Sequence, residues 1–209
     1  MFLSSLIFST KYIVGIFSAS TITAFFICLY NGVPFFNPEQ NRYQFIQQLQ
    51  KTGKTSSIVL GQSVVAFSLF SNYLIDNSNH YVIDSFKNLA LYSVITEFFY
   101  YTYHRIVHTK SYYKQGHSLH HQNVVVFPAD TFYQDTNDAF FLVFSLAAPS
   151  LFLRMNYTEL AIILYIYGTG AYLAHSNNFF NHHDIHHRLM FCNYCILNPV
   201  FDILFRTYR

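Results

Sequence analysis

Apolar residues gather in long runs along this chain, and polar stretches separate the runs. Three runs stand out, at 12–30, 58–75 and 88–103. A helix needs roughly 20 mostly apolar residues to cross the hydrocarbon core of a bilayer. The three runs therefore predict membrane-spanning helices, and the polar residues 31–57 predict a connection between the first two.

Two shorter apolar runs follow at 139–153 and 160–174. Each would be about 22 Å long as a helix, against a hydrocarbon core of about 30 Å. They either span the membrane with help from flanking residues or form a re-entrant hairpin, and in both cases the chain returns to the side it left. Pro149 is expected to kink the first run, and Gly168 and Gly170 in the second permit close helix contact.

The fold class predicted from this pattern is an all-α integral membrane protein with about four transmembrane helices. Composition agrees, because 52% of the residues are hydrophobic and only 11% are charged, whereas soluble domains carry about 25% charged residues. The net charge of +2 is too small to indicate nucleic-acid binding. Three cysteines provide no disulfide framework.

Ten of the 11 histidines lie between 104 and 187, and nine of these ten fall into four groups. Their spacings of three and four residues place side chains on one face of a helix. Solvated loop histidines are the alternative, but the repeated H-x-x-H-H spacing favours a metal site between facing helices. His80 stands apart and is expected to be an ordinary surface histidine. The nine are His104 and His108; His117, His120 and His121; His175; and His183, His186 and His187.

Imidazole nitrogens suit iron, copper, zinc and nickel. Nine candidates exceed the four ligands that a zinc ion usually takes, so two ions are the economical interpretation. Ligating histidines usually donate their other ring N–H to a carboxylate or carbonyl, and Glu97, Asp184 and Asp202 are the candidates for that role. Glu97 lies at membrane depth, where an acid is costly and usually functional; a hydrogen bond to a neighbouring helix is the structural alternative. The pair Cys192 and Cys195 lacks a second pair, and we expect it to be structural.

Two iron ions together can reduce and split dioxygen, which provides an oxidant for unactivated C–H bonds. The protein must then bury the reaction beside an apolar substrate and exclude water. The sequence has no glycine-rich dinucleotide motif and no haem-attachment motif, so electrons must come from a separate donor. A site at the boundary of a membrane can take lipid from the bilayer and electrons from the aqueous side.

Basic residues provide a separate test of topology. If the histidines are cytosolic, nine lysines and arginines fall on their side and three on the other. This distribution fits the positive-inside rule, so we predict a cytosolic histidine cluster. The nine are Arg42, Lys51, Lys54, Arg105, Lys110, Lys114, Arg188, Arg206 and Arg209, and the three are Lys11, Lys87 and Arg154.

The histidine motifs resemble those of the fatty acid hydroxylase/sterol desaturase superfamily. Its pattern is H-x-x-x-H followed by two H-x-x-H-H motifs, often with an acid seven residues before the first histidine, as Glu97 is here. Asp202 with the residues after it resembles the closing W-D-x-L-F-G-T, although Phe201 replaces the tryptophan. Residues 120–123 and 182–187 most resemble the cholesterol 25-hydroxylases, and the C4-methylsterol oxidases share the H-H-D-x-H-H form. The likeness covers 88–209, the expected catalytic domain, whereas the N-terminal segment 1–87 matches only in character.

The resemblance implies a four-helix membrane base with a cytosolic histidine-rich helical cap, located in the endoplasmic reticulum. It implies two iron ions held by the eight histidines of the three motifs, with His175 as a ninth ligand because His175-Ser176 resembles the family's H-S-G-Y. The implied reaction is hydroxylation of a sterol or other fatty lipid by dioxygen, with electrons from cytochrome b5 or its reductase. C4-methyl oxidation and desaturation are alternatives, since the same oxidant serves all three. A catalytically inactive membrane protein that binds lipid or metal is the alternative from another class.

Overall fold

The computed structural model describes residues 2–78 and 80–209, and these residues form helices joined by turns, with one isolated bridge between Ile75 and Met155. The prediction of an all-α fold is therefore confirmed. The α-helices are α1 (Phe2–Tyr30), α2 (Arg42–Leu74), α3 (Val82–Val107), α4 (Tyr113–Gly116), α5 (Thr136–Ala147), α6 (Tyr157–Ala174), α7 (Asn181–Leu189) and α8 (Val200–Leu204). Short 3-10 turns lie at His120–Gln122, Pro128–Asp130 and Ala148–Leu151.

Two helices of the described residues, at Leu3–Tyr30 and Arg42–Leu74, are long and apolar enough to cross a membrane. Only 17% of the most apolar window in each helix is buried. A helix in the core of a soluble protein would be mostly buried, so the outward-facing side chains favour contact with lipid. The predicted total of about four spans stays a prediction.

Helix α2 differs from the predicted span at 58–75, because it starts at Arg42 and includes much of the expected polar connection. Asn41 begins the helix with a capping box: its side chain accepts from the Gln44 backbone N–H, and the Gln44 side chain accepts from the Asn41 N–H. The polar first half then packs on the turn that follows the second histidine motif. Gln48 donates to Asp130, and the Thr55 hydroxyl donates to the Gln134 carbonyl at 3.0 Å.

Helices α5 and α6 occupy the two shorter apolar runs, and the choice between spanning helices and a re-entrant hairpin stays a prediction. The α-helical part of the first run ends at Ala147, and Pro149 lies in the 3-10 turn that follows, as its missing N–H and fixed φ require. Gly168 allows α6 to approach α1, since a Cβ there would lie 2.8 Å from the Ser20 hydroxyl oxygen and 3.0 Å from the Ser20 Cβ. Helix α1 packs along α6 and α2, so the N-terminal segment 1–87 shares a core with residues 88–209. The division between these two segments stays a prediction.

The far end of the bundle closes where the turn after α2 meets the turn before α6. The Asp76 N–H donates to the Met155 carbonyl at 3.0 Å, and His80 Nδ1 lies 2.8 Å from a Glu159 carboxylate oxygen. His80 is partly buried by these contacts and is not the exposed surface histidine that we expected. Because α3 starts at this end and α6 starts there too, their C-terminal ends lie together at the opposite end.

Candidate metal centre

The C-terminal ends of α3 and α6, the segment 117–121 and helix α7 bring the nine predicted histidines together. Their ring nitrogens form two compact groups, and within each group the candidate ligand atoms lie within 4.8 Å of one another. All nine side chains are buried except that of His108, which is half-buried. The five-histidine group contains His104, His108, His117, His121 and His186, and the four-histidine group contains His120, His175, His183 and His187.

Each H-x-x-H-H motif supplies both groups. His117 and His121 enter the five-histidine group, while His120 between them enters the other group. In the second H-x-x-H-H motif, His183 and His187 enter the four-histidine group and His186 enters the other. On helix α7, His183 and His187 are four residues apart and share a face, and His186 is offset from them, so one motif can contribute to both groups.

The three motifs differ in local structure. The first lies at the end of α3, with His104 in the last turn and His108 as the C-cap, and the third lies on α7, as the helical spacing predicts. The second is not on a regular helix: His117 ends the four-residue helix α4, and His120 begins a 3-10 turn. Helix α7 stops at Met190, whose left-handed backbone (φ 64°) reverses the chain toward α3.

Hydrogen bonds at Nδ1 fix the tautomer of several rings. His104 Nδ1 donates to the Tyr194 carbonyl at 2.7 Å, and His117 Nδ1 donates to the Asp138 carboxylate at 2.9 Å. A neutral imidazole with its proton on Nδ1 has a lone pair on Nε2. These two Nε2 atoms lie 3.0 Å apart, so two lone pairs face each other, an arrangement that a cation between them would stabilise.

The same pattern recurs in both groups. His186 Nδ1 donates to the Cys192 carbonyl at 2.6 Å, and its Nε2 lies 3.1 Å from His121 Nε2. His175 Nδ1 donates to the Ala171 carbonyl at 2.8 Å, and its Nε2 lies 3.4 Å from His120 Nε2. Two nitrogens that share one ion at bond lengths of roughly 2.0–2.1 Å are separated by about this distance.

Several ring nitrogens in these groups have no hydrogen-bond partner within the described protein, although they are buried. Leaving such an atom unsatisfied costs roughly 1–3 kcal/mol, and coordination of a metal ion would remove that cost. The residues present therefore fit a metal centre with imidazole ligands. The atoms are His108 Nε2, His121 Nδ1, His183 Nδ1 and both ring nitrogens of His187.

Burial keeps the rings neutral. It lowers the pKa of His108 and His117 to about 3 and that of His175 to about 4. For His104, burial is the larger cause and the positive charge that neighbouring histidines would carry is the second, and both hold its pKa well below the usual value. Since only neutral imidazole ligates a metal, these rings are ready ligands at neutral pH.

A small cavity of about 30 Å³ lies beside the histidines on the side of the bundle helices. A volume of this size holds one or two water-sized molecules. Its histidine wall comes mainly from the four-histidine group, and the rest is mostly aliphatic and aromatic side chains, with Thr131, Gln134 and Asp138 as polar members. The lining residues used below are His117, His120, His175, His183, Tyr103, Asp138, Leu142, Ala171, Ala174 and Ile196.

The three acids predicted to support the ligands bond elsewhere. Glu97 accepts backbone N–H groups from residues 196–198 and the Tyr167 hydroxyl. Asp184 accepts from Arg188, and Asp202 accepts from backbone N–H groups of residues 194 and 195. None of these bonds reaches a ring of the two groups, so any effect of the three acids on the ligands must pass through the backbone.

Sequence reasoning missed Asp138, the acid that contacts a histidine directly. Its carboxylate accepts from His117 Nδ1 and from the Tyr103 hydroxyl, and its second oxygen is buried with no partner in the described residues. The only signal was an acid in the first turn of an apolar helix. Acids are common there because they complement the helix dipole, so that position did not single out Asp138.

Both cysteines of the C-x-x-C pair are buried and free. Their sulfur atoms belong to neither histidine group. The pair's backbone, by contrast, takes part in the site, since the Cys192 carbonyl accepts from His186.

Comparison with known proteins gives a family match and several distant relatives. The family model for fatty acid hydroxylase matches residues 89–207. The very-long-chain aldehyde decarbonylase GL1-11 of Oryza sativa subsp. japonica is 29% identical over 138 residues, covering 58% of this chain and 52% of the relative. Methylsterol monooxygenase 2-1 of Arabidopsis thaliana is 29% identical over 151 residues, covering 57% and 54%. Delta(7)-sterol 5(6)-desaturase erg31 of Schizosaccharomyces pombe is 29% identical over 154 residues, covering 66% and 49%.

The chain spans about half the length of the curated relatives it matches. No solved structure matches it. The family model covers more than half of the chain and includes all nine histidines of the two groups. The resemblance seen in the motifs is thereby confirmed: this chain belongs to the fatty acid hydroxylase family.

Proposed function

We propose that this chain is a membrane-embedded di-iron oxygenase that hydroxylates a sterol or related lipid. The observation that carries the proposal is the meeting of nine histidines from distant parts of the sequence in two buried groups beside an apolar-walled cavity. Two adjacent groups suit a reaction that needs two metal ions.

The five-histidine group and the four-histidine group would each hold one iron ion. Bound iron supplies the electron transfer that splits dioxygen, so that one oxygen atom enters a C–H bond and the other leaves as water, with two electrons and two protons supplied from outside. The electrons would come from a separate carrier such as cytochrome b5 or its reductase. This part of the proposal rests on the family resemblance and on the absence of a cofactor motif from the sequence.

The side chains of the cavity wall would position the substrate beside the histidines. Leu142, Ala171, Ala174 and Ile196 present apolar surface toward the histidines. They would hold one methyl or methylene group of a lipid next to the metal and leave little room for water. Excluding water protects the oxidant and strengthens the electrostatic interactions inside the site.

Asp138 would hold a proton at the edge of the cavity. Its Oδ1 accepts from both His117 and Tyr103, so that oxygen is already occupied. Its Oδ2 is free of protein donors among the described residues and belongs to a side chain that lines the cavity. A molecule in the cavity can therefore bond to Oδ2 without disturbing His117.

The choice among hydroxylation, C4-methyl oxidation and desaturation is a separate question. The named relatives include a monooxygenase, a desaturase and a decarbonylase at the same 29% identity. Sequence similarity therefore supports their shared lipid chemistry more than any one reaction. We propose hydroxylation because residues 120–123 most resemble the motif of the cholesterol hydroxylases, whereas the form at 182–187 is shared with the C4-methylsterol oxidases.

The test is to express the chain in cells, compare the membrane lipids with and without it, and measure the iron content of the purified protein. We expect about two iron ions per chain, lipid-dependent uptake of dioxygen and a new oxidised lipid. Matched cells that express His187→Ala should lack the oxidised lipid. Tight lipid binding with no turnover in the iron-loaded protein would instead identify a binding protein.

A further inference from the structure

Residues 192–198, called the bridging loop below, join α7 to α8 and lie against α3. Five consecutive backbone N–H groups of this loop, from Tyr194 to Asn198, all donate to two buried carboxylates. Asp202 accepts the first two at 2.8 Å, and Glu97 accepts the next three at 2.8–2.9 Å. Buried N–H groups need such partners, so the two acids fix the path of the loop.

The carbonyl groups of the same loop face the histidines. The Tyr194 carbonyl accepts from His104 Nδ1 at 2.7 Å, and the Cys192 carbonyl accepts from His186 Nδ1 at 2.6 Å. The loop thus has carboxylates bound to its N–H groups and histidine rings bound to its carbonyl groups.

Asp202 lies behind the peptide groups that hold both rings. The peptide that joins Tyr194 to Cys195 donates its N–H to Asp202 Oδ2 and accepts from His104 at its carbonyl. The peptide after Cys192 donates the Asn193 N–H to the Thr207 carbonyl at 3.0 Å. Thr207 is itself tied to Asp202, because its hydroxyl donates to Oδ1 at 2.8 Å and its N–H to the Asp202 carbonyl at 2.7 Å.

A negative charge at the N–H end of a peptide polarises the whole unit and makes its carbonyl a stronger acceptor. A stronger acceptor at Nδ1 raises the basicity of the ring at Nε2, the nitrogen free to bind metal. His104 is held by the peptide that donates directly to the Asp202 carboxylate, and His186 is held by a peptide that reaches Asp202 through Thr207. Both rings belong to the five-histidine group. No ring of the four-histidine group bonds to the bridging loop in the described structure.

We propose that Asp202 is a positioning residue for the ion in the five-histidine group, acting on His104 and His186 through the backbone of the bridging loop. The inference rests on the proposed binding of two metal ions. This role differs from a general packing role in one measurable respect. Loss of the Asp202 charge lowers the affinity for one of the two ions and leaves the affinity for the other unchanged.

The test is cobalt(II) binding to the purified full chain in detergent, with any affinity tag removed, followed by absorption and by competition with a chelator. Wild type is expected to bind two ions. Asp202→Asn keeps the shape of the side chain but offers one acceptor oxygen in place of two. The affinity for one cobalt ion should fall by about 10–100-fold, which is the range for loss of a group that orients a metal ligand. The affinity for the other ion should stay unchanged.

Glu159→Gln is the matched control. Glu159 is also a buried acid that accepts a backbone N–H, from Asn156 at 3.1 Å, but it lies at the start of α6. His175 follows the last residue of this helix of 18 residues, which is roughly 27 Å long at 1.5 Å per residue. Both cobalt ions should bind this variant as they bind wild type.

Equal weakening of both ions in Asp202→Asn would overturn the inference, and so would unchanged binding of both. If wild type binds no cobalt, the proposed metal function fails instead. If Asp202→Asn does not fold, Thr207→Val decides the question, since it removes only the hydroxyl that donates to Oδ1. A smaller weakening of the same single ion is expected there, and no weakening would contradict the role of Asp202.

Discussion

Each histidine of this centre has two ring nitrogens, and the partner of one nitrogen determines what the other can do. A carbonyl oxygen only accepts hydrogen bonds, so His104, His175 and His186 must each carry a proton on Nδ1. Their Nε2 atoms then provide lone pairs toward the middle of the site. Neutral rings with fixed tautomers are what a metal ligand needs, and burial of the whole cluster keeps them neutral.

At the residue scale, the first prediction concerns His120. Its Nε2 lies 3.4 Å from His175 Nε2 in the four-histidine group. His120→Ala should lose bound iron and oxygenase activity together, while the protein still inserts into membranes, because the long helices do not depend on this ring. Iron per chain, oxygen uptake and membrane fractionation measure the three quantities.

The control for that variant is His80→Ala, at the opposite end of the bundle beside Glu159. It should retain the wild-type iron content. An active, iron-loaded His120→Ala protein would remove His120 from the ligand set.

Asp138 gives a second prediction. Asp138→Leu removes the acceptor for both His117 and Tyr103, so iron affinity should fall by about 10–100-fold. Asp138→Asn keeps an acceptor oxygen for His117, so its iron affinity should fall less than that of Asp138→Leu. Chelator competition on the two purified variants compares their affinities, and equal affinities would show that the hydrogen bond to His117 has no effect on the metal.

The convergence of the nine histidines was predictable from sequence, because imidazole is a common metal ligand and the spacing of the motifs is visible. Their partners were not. The acceptors for His104, His175 and His186 are backbone carbonyls, which every residue type supplies. The distances between Glu97 or Asp202 and the rings also depend on the bridging loop, whose path depends on contacts between residues about 100 positions apart.

At the element scale, the sequence pattern predicted the helices that have one or more apolar faces. It missed helical segments whose conformation depends on packing against other parts of the chain. The first half of α2 is polar and looks like a connection, yet Asn41 caps it and Gln48 and Thr55 anchor it to the turn at residues 130–134. The second histidine motif has helical spacing but folds as a short helix and a 3-10 turn. Its histidines are divided between the two groups, and the short helix and the 3-10 turn place them there.

The contact between α1 and α6 gives a third prediction. Gly168→Ala would place a Cβ 2.8 Å from the Ser20 hydroxyl oxygen and 3.0 Å from its Cβ. The hydroxyl can rotate but the Cβ cannot, so the helices must separate, at a cost of roughly 1–3 kcal/mol. Thermal unfolding in mild detergent should show a lower midpoint temperature.

Two further variants separate crowding from helix propensity. Gly15→Ala adds a methyl group where no atom lies within 4 Å, and should stabilise α1 by about 0.5–1 kcal/mol. Ser20→Gly combined with Gly168→Ala removes the clashing atoms and should recover the lost stability except for the roughly 0.5–1 kcal/mol that a glycine costs in α1. If the double variant unfolds at the same midpoint temperature as Gly168→Ala alone, contact with Ser20 is not the cause of the lost stability.

At the scale of the whole molecule, the helical bundle holds the site at one end, with α3 and α6 delivering their histidines from parallel positions. The chain must leave and return for residues 104–121 to meet 175–187, and the two short apolar runs provided that expectation from sequence alone. Sequence could not give the sorting of the rings into a group of five and a group of four. That sorting depends on how the segment 117–121 and helix α7 pack at the C-terminal ends of α3 and α6.

The burial of so many histidines also makes the stability of the whole molecule depend on pH. In the folded chain the pKa of His117 is about 3, whereas an unfolded histidine has its pKa near 6.5. Between these values the unfolded chain binds more protons, so stability is full above about pH 6.5 and falls as the pH decreases. At pH 5 one such residue costs about 2 kcal/mol, and several together approach the roughly 5–15 kcal/mol that holds a domain folded.

Metal binding should shift this acid transition, which makes the effect a test of the whole centre. An ion that binds only the folded state adds stability that grows with the ratio of its free concentration to its dissociation constant. Iron-loaded protein should therefore unfold at a lower pH than protein stripped with a chelator, as measured by far-UV circular dichroism during acid titration. His183→Ala combined with His187→Ala removes two rings that have unpartnered nitrogens. The stripped form of this variant should resist acid better than stripped wild type, because two fewer buried groups attract protons on unfolding. Identical acid midpoints for the loaded and stripped wild-type protein would contradict a metal centre built from these histidines.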